Sequence, residues 1–208
     1  MFALLLVLAL SSQESGFATS RVLGCADPFT PELTERRLIE IYGAANVRAG
    51  DVYVGEGNYD SGTIVFPDSQ EERIEVLWHD PKMRVNPAAI RFGRGATHWR
   101  SATDITIGTD LKTIERLNGR PFRLLGLAWD YQGTVMSWRG GRLSKQDGRG
   151  CRVRMRFRPG GDEWPAIATQ VSGEREFSSG HPAMQQLNPR VYELWLSFDA
   201  ARKPDRQD

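Results

Sequence analysis

The sequence predicts an α+β fold built from two similar units, each a short helical segment packed on an antiparallel sheet. Three observations predict it. Two helical segments have matching residues 76 positions apart (Leu38 and Ile114, Ile41 and Leu117, Gly43 and Gly119), each is followed by short runs of alternating hydrophobicity, and Gly-rich turns separate those runs. With 208 residues, 40% of them hydrophobic and 25% charged, the chain has the composition of an ordinary globular protein. Its length suits one domain or two small ones packed together. A formal net charge of +1 argues against steering of the whole protein toward nucleic acid or a membrane surface.

The chain opens with Phe2 to Leu10, nine apolar residues that then stop. A membrane span needs about 20, whereas the apolar region of a secretory signal needs about 7–15. Residues 1–20 therefore read as a signal peptide, with small residues at Ala9 and Ser11 or Ala18 and Ser20 as cleavage sites. No Lys or Arg precedes Arg21, so the basic start of a typical signal is missing, and a buried N-terminal strand or helix is the alternative. The expectation is a periplasmic or secreted protein with no transmembrane span.

Cys25 and Cys151 are the only two cysteines. In an exported chain they most simply form one disulfide, closing a loop worth roughly 4–5 kcal/mol by chain-entropy arithmetic. Val22-Leu23-Gly24-Cys25 also resembles the lipobox of bacterial lipoproteins, which implies acylation of Cys25. The polar stretch from Ser11 to Ser20 separates that box from the apolar run, so a lipid anchor is not expected. Two unrelated buried thiols are the third reading.

The first unit spans 26–104. Thr30-Pro31-Glu32 predicts its helix start, with Thr as N-cap and Pro at the first helical position. Leu38, Ile41 and Tyr42 form one face and Gly43 ends the helix. The second unit spans 105–200. There Thr109-Asp110 opens a helix whose face is Leu111, Ile114 and Leu117, closed by Asn118-Gly119.

The strands echo one another too. Tyr59 to Val65 (YDSGTIV) matches Trp129 to Val135 (WDYQGTV), and Arg73 to Trp78 matches Arg152 to Phe157. Asp60 and Asp130 in these segments predict a repeated turn. Asp80 to Thr103 reads as a strand-bearing connection, and Pro159 to Pro189 as a long loop that could contact a partner. The last strand runs from Val191 to Phe198, with Tyr192, Leu194, Leu196 and Phe198 on one face. The tail 201–208 is predicted to fray.

This order of elements, duplicated in tandem in an exported chain, resembles the beta-lactamase inhibitor protein architecture. A single unit resembles the small outer-membrane assembly lipoproteins of the SmpA/OmlA type. The segment LNGRPFRLLGLAWDYQGTVMSWRGGRL (117–143) is similar to a group of uncharacterised exported bacterial proteins. These resemblances imply an exported protein, the last of them brings no established activity, and none brings a site residue.

Catalytic signals are weak. There is no G-x-S-x-G elbow or HExxH motif, and His79, His98 and His181 stand far apart. Gly55-Glu56-Gly57 and Gly93-Arg94-Gly95 read as turns rather than phosphate loops. No catalytic residue, metal ligand or cofactor is assigned. A cell-envelope hydrolase using Asp60, Asp130 and His181, with 159–189 as a lid, is the alternative reading.

Charge is the remaining signal. Residues 1–108 carry a net −4 and residues 109–208 a net +5. In Cys151 to Arg158 (CRVRMRFR) the alternation puts Cys151, Val153, Met155 and Phe157 toward a core and Arg152, Arg154, Arg156 and Arg158 on the other face. Such a ladder repels itself unless acids such as Glu193 lie opposite, or a partner does. Arg139 and Arg142 lie on the preceding Gly-rich turn, and Tyr131, Trp138 and Trp195 are candidate aromatic neighbours. The sequence thus predicts a binding module whose arginine face contacts an acidic envelope protein or another anionic ligand, and no nucleic acid.

Overall fold

The computed structural model describes residues 21–148, 150–161 and 164–200. The expected signal peptide and the charged tail lie outside the described residues. Along the chain the elements are β1 (Val22–Leu23), α1 (Glu35–Tyr42), β2 (Val47–Gly55), β3 (Asn58–Val65), β4 (Ile74–Asp80), β5 (Val85–Phe92), β6 (Arg100–Ser101), α2 (Leu111–Asn118), β7 (Arg123–Leu125), β8 (Val135–Ser137), β9 (Cys151–Arg158), β10 (Glu176–Ser178), α3 (Pro182–Leu187) and β11 (Arg190–Phe198). This is an α+β fold of antiparallel sheets and short helices. Six strands form the main sheet in the order β2-β3-β4-β5-β11-β9, and β10-β7-β8 form a smaller one.

Alternation builds the main sheet row by row. Val47, Val65, Ile74, Phe92, Leu194 and Met155 stand side by side across all six strands, and every one is buried. One residue along, Arg48, Ile64, Glu75, Arg91, Trp195 and Arg154 make the matching row on the opposite face. The first row is wholly apolar and the second is mainly polar.

The two halves of the chain share this sheet. Four strands come from residues before Gly93, and β9 and β11 complete it from the second half. One hydrophobic cluster accordingly holds Leu38 and Phe92 together with Ile114 and Phe157. Cys25 and Cys151 form the predicted disulfide, with Cα atoms 5.7 Å apart, tying the segment before α1 to β9.

Both helices end as the sequence predicts, at Gly43 and Gly119. Asp110 caps α2 by accepting from the Thr113 N–H at 2.9 Å. The first cap is Thr34 rather than Thr30, since its Oγ1 accepts from the Arg37 N–H. Thr30 instead closes a turn through its carbonyl, which accepts from Leu33 N–H, and Leu33 is buried just ahead of the helix. Helix α1 is anchored by a buried hydroxyl: Thr63 Oγ1 accepts from Trp78 Nε1 at 3.0 Å and donates to Glu35 Oε1 at 2.8 Å.

Three further expectations are corrected. Asp60 lies within β3, and the β2–β3 turn falls at Glu56 and Gly57; Asp130 does lie in a turn. A bulge at Tyr192 shifts the register of β11, so Val191 rather than Tyr192 joins Leu194, Leu196 and Phe198 in the core. The segment 159–189 is not a free loop, because Ala168, Val171, Phe177, Ala183 and Met184 are all buried.

Strand β9 lies at one margin of the main sheet, and its outer edge is occupied. The Val153 N–H donates to Asp147 Oδ1 at 2.9 Å and the Phe157 N–H to Gly133 O at 3.0 Å. Gly133 is required there: φ is +63°, and a Cβ would sit 1.9 Å from Phe157 O. At the other margin β2 pairs only with β3 among the described residues.

Candidate binding groove on the outer sheet face

The arginine ladder of β9 takes the predicted faces. Cys151, Val153, Met155 and Phe157 are buried, and the four arginines point away from the core. Their environments differ. Arg152 is exposed and pairs with Asp199 at 2.8 Å. Arg156 is partly buried, 22% exposed. It pairs with Glu193 at 3.3 Å, donates to Thr134 Oγ1 at 3.1 Å, and lies over the rings of Tyr131 and Trp195 at 5.6 and 5.2 Å. Glu193 beside Arg156 and Asp199 beside Arg152 offset part of the repulsion within the ladder. Arg154 stands opposite Trp195 with Ser197 Oγ 3.5 Å from its Nε, and Arg158 stands opposite Arg190. Neither Arg154 nor Arg158 forms an ion pair among the described residues.

The other two predicted arginines are elsewhere. Arg142 closes the C-terminal end of α2, donating to the carbonyls of Leu117 and Arg116 at 3.0 and 2.8 Å. Cations at that end also complement the helix dipole, so this side chain has a structural role. Arg139 lies beside Arg120 and Arg123 in a shallow depression over the small sheet. Trp138 packs on Phe122 at 5.2 Å and is no part of the arginine face.

On the outer face of the main sheet lies a groove of about 370 Å³. Its floor comes from Glu75, Arg91, Glu193 and Arg156, one from each of β4, β5, β11 and β9. One lip is the end of β2 and its turn, Tyr53 to Glu56; Tyr53 faces Tyr59 across the strands on the face that Val47 and Val65 share, their rings 5.4 Å apart and edge to face. The other lip is the turn 129–132, where Trp129 and Tyr131 stack in the same manner at 5.3 Å. Tyr53, Tyr59 and Tyr131 are 48%, 63% and 46% exposed.

The lips are fixed from beneath. Arg91 donates to the carbonyl of Tyr53, Trp129 Nε1 donates to Gly126 O at 3.0 Å, and Arg156 holds Tyr131. Of the floor acids, Glu193 is neutralised by Arg156 and Glu75 by Arg73 at 2.8 Å. At the groove's end Arg94 lies by the Tyr192 ring, and Arg158, outside the groove lining, lies by the same ring, each guanidinium 5.9 Å from its centroid. Burial, ahead of the opposing influence of Arg156, raises the Tyr192 hydroxyl above its ordinary pKa, so the phenol stays a neutral donor.

The residues of the hydrolase reading lie on three different elements. Asp60 is on β3, Asp130 on the turn 129–132, and His181 caps α3 by accepting from the Ala183 N–H at 3.2 Å. Among the described residues no group of three His, Cys, Asp or Glu could hold a metal ion, and no helix is long and apolar enough to cross a membrane.

Sequence reasoning missed Arg91, Arg94, Tyr53 and Tyr192. A signal existed for one pair: in Tyr53-Val54-Gly55-Glu56-Gly57-Asn58-Tyr59 the tyrosines flank a Gly-rich turn symmetrically, which makes them cross-strand neighbours. No protein-family model, curated protein or solved structure matches the chain.

Proposed function

We propose that the protein is an exported, non-catalytic binding module, periplasmic or secreted, that receives an anionic partner in the groove on the outer face of its main sheet. One observation supports this most directly: Arg94 at the groove's end, and Arg158 beside it across the Tyr192 ring, form no ion pair among the described residues, and the exposed Tyr131 ring stands on one lip. Exposed aromatic rings and arginines together are the side chains that most often dominate interface energies. Arginine also suits carboxylate and phosphate through its two-pronged donor geometry. The disulfide fits an oxidising compartment.

Arg94→Glu combined with Arg158→Glu tests the reading, since both side chains are exposed and neither holds an internal ion pair among the described residues. Wild-type protein immobilised in an envelope extract should retain a specific species, less of it as salt rises. The double variant should lose it. Equal retention by both proteins would overturn the anionic reading.

A further inference from the structure

We propose that the shallow depression over the small sheet is a second binding site, one that takes a phosphate group. It is separate from the groove on the main sheet, since no residue lines both, and it stands or falls independently of that groove.

Strand register builds its floor. Arg123 of β7 stands directly across from Ser178 of β10 on one side and from Ser137 of β8 on the other. The three form one row across the whole sheet, and all three line the depression. A bulge in β8 makes the row possible, because without it Met136 would stand opposite Arg123. Both hydroxyls are fixed by backbone. Ser137 Oγ accepts from the Arg139 N–H at 3.1 Å, and Ser178 Oγ accepts from the Gly180 N–H at 3.2 Å. Neither donates to an acceptor among the described residues, so both O–H groups are free for a ligand.

The guanidinium groups supply the charge. Arg120 Nη1 donates to the Arg139 carbonyl at 3.0 Å, which ties these two residues together. Both are exposed, and neither forms an ion pair among the described residues. Arg123 is held by Glu176, its Nε 3.2 Å from the carboxylate and its Nη2 3.2 Å from the carbonyl, so that Nη1 has no partner among the described residues. Glu176 is the sole carboxylate in the lining against these three guanidiniums. The negative end of α2 lies just before Arg120, but Arg142 donates to its Arg116 and Leu117 carbonyls and offsets it.

The unengaged groups are therefore donors: two hydroxyls on either side of a central guanidinium, with two more guanidiniums in the same lining. That set suits an anion whose oxygens point in several directions. Phosphate is tetrahedral, and it pairs with arginine through two parallel hydrogen bonds. A carboxylate is planar with two oxygens, and Glu176 already presents one to Arg123. The aromatic ring in the lining, Phe122, is fully buried, so no exposed ring is there to stack on a base. Recognition is of the phosphate group itself.

Amide NMR titration of the full disulfide-bonded protein with inorganic phosphate tests the proposal, at constant ionic strength and with acetate as the control. Phosphate should give saturable shifts at the Ser137, Arg139 and Gly180 amides, and acetate should bind at least tenfold more weakly. Arg120→Glu combined with Arg139→Glu should abolish the phosphate response. Ser137→Ala combined with Ser178→Ala should weaken it about threefold to tenfold; these small exposed-face changes keep the test open if the charge reversal disturbs folding. Sedimentation with vesicles of phosphatidylglycerol or of phosphatidylcholine then identifies the source. Pelleting with the first alone, lost in the arginine variant, assigns a lipid headgroup; phosphate binding without pelleting assigns a soluble phosphate ester. Equal responses to phosphate and acetate would reduce the depression to a patch of positive charge and overturn the proposal, as would the absence of saturable shifts. Retention of an envelope species through Arg94 and Arg158 should be unchanged in the Arg120, Arg139 variant, which keeps the tests of the two sites apart.

Discussion

Arg156 and Glu193 face each other across β9 and β11, and their side chains meet at 3.3 Å with only 22% and 18% of each exposed. The same guanidinium supports Tyr131 and Trp195. Arg156→Ala should therefore cost about 1–3 kcal/mol, because it strands a partly buried carboxylate and removes two ring contacts. Arg152→Ala, which breaks the exposed pair with Asp199, should cost under about 1 kcal/mol. Urea unfolding of the two variants checks the contrast; equal losses would refute the distinct roles given to these neighbours.

Reduction of Cys25–Cys151 should lower stability by about 4–5 kcal/mol, since the bridge closes a separation of 126 residues. Thermal unfolding with and without reductant measures it, with Cys25→Ala combined with Cys151→Ala as the control for added reagent. A shift far below that value would mean that the unfolded chain is already constrained near these residues.

Acid should weaken the protein in part through Asp110 and Glu72. Burial opposes ionisation of Asp110, but the Thr113 N–H and hydroxyl outweigh it and hold the carboxyl below its ordinary pKa. A hydrogen bond from Arg21 does the same for Glu72. A carboxyl with a depressed folded-state pKa contributes stability that is present above its unfolded value, near about 4, and lost as pH falls through the folded value. Asp110→Ala should cost about 0.5–2 kcal/mol at neutral pH. Asp110→Asn should flatten the loss of stability below pH about 4, and a stability–pH curve parallel to wild type would contradict the assignment.

Thr63→Val keeps the shape of a buried side chain and deletes the hydroxyl between Trp78 and Glu35. The expected cost is about 1–3 kcal/mol, because a buried indole N–H and a carboxylate oxygen lose their partner together. Hydrogen exchange should report the loosening first in α1, which is anchored to β3 through this contact; uniform destabilisation across the sheet would argue against that anchor.

The alternation in Cys151 to Arg158 was enough to assign both faces of β9, because a strand's period of two depends on nothing distant. The same rule failed at Tyr192, where one bulged residue inverts every face before it and no local residue announces the insertion. The helix starts and stops were readable to within one turn, since caps act over three or four residues. The role of Arg142 was not, as the carbonyls it meets belong to residues 25 and 26 positions away. The groove lay furthest from view. Arg91 and Arg156 reach its floor from strands on either side of β11, and only the closing of the sheet makes them neighbours.

The two margins of the main sheet are not equivalent. Along β9, Asp147 and Gly133 already occupy backbone donors that a newcomer would need. Along β2 no described strand takes that place. Among the described residues, strand addition to the main sheet therefore has its free place along Val47–Gly55, and the contacts that seat Gly133 against β9 stand in the way of it at the other margin.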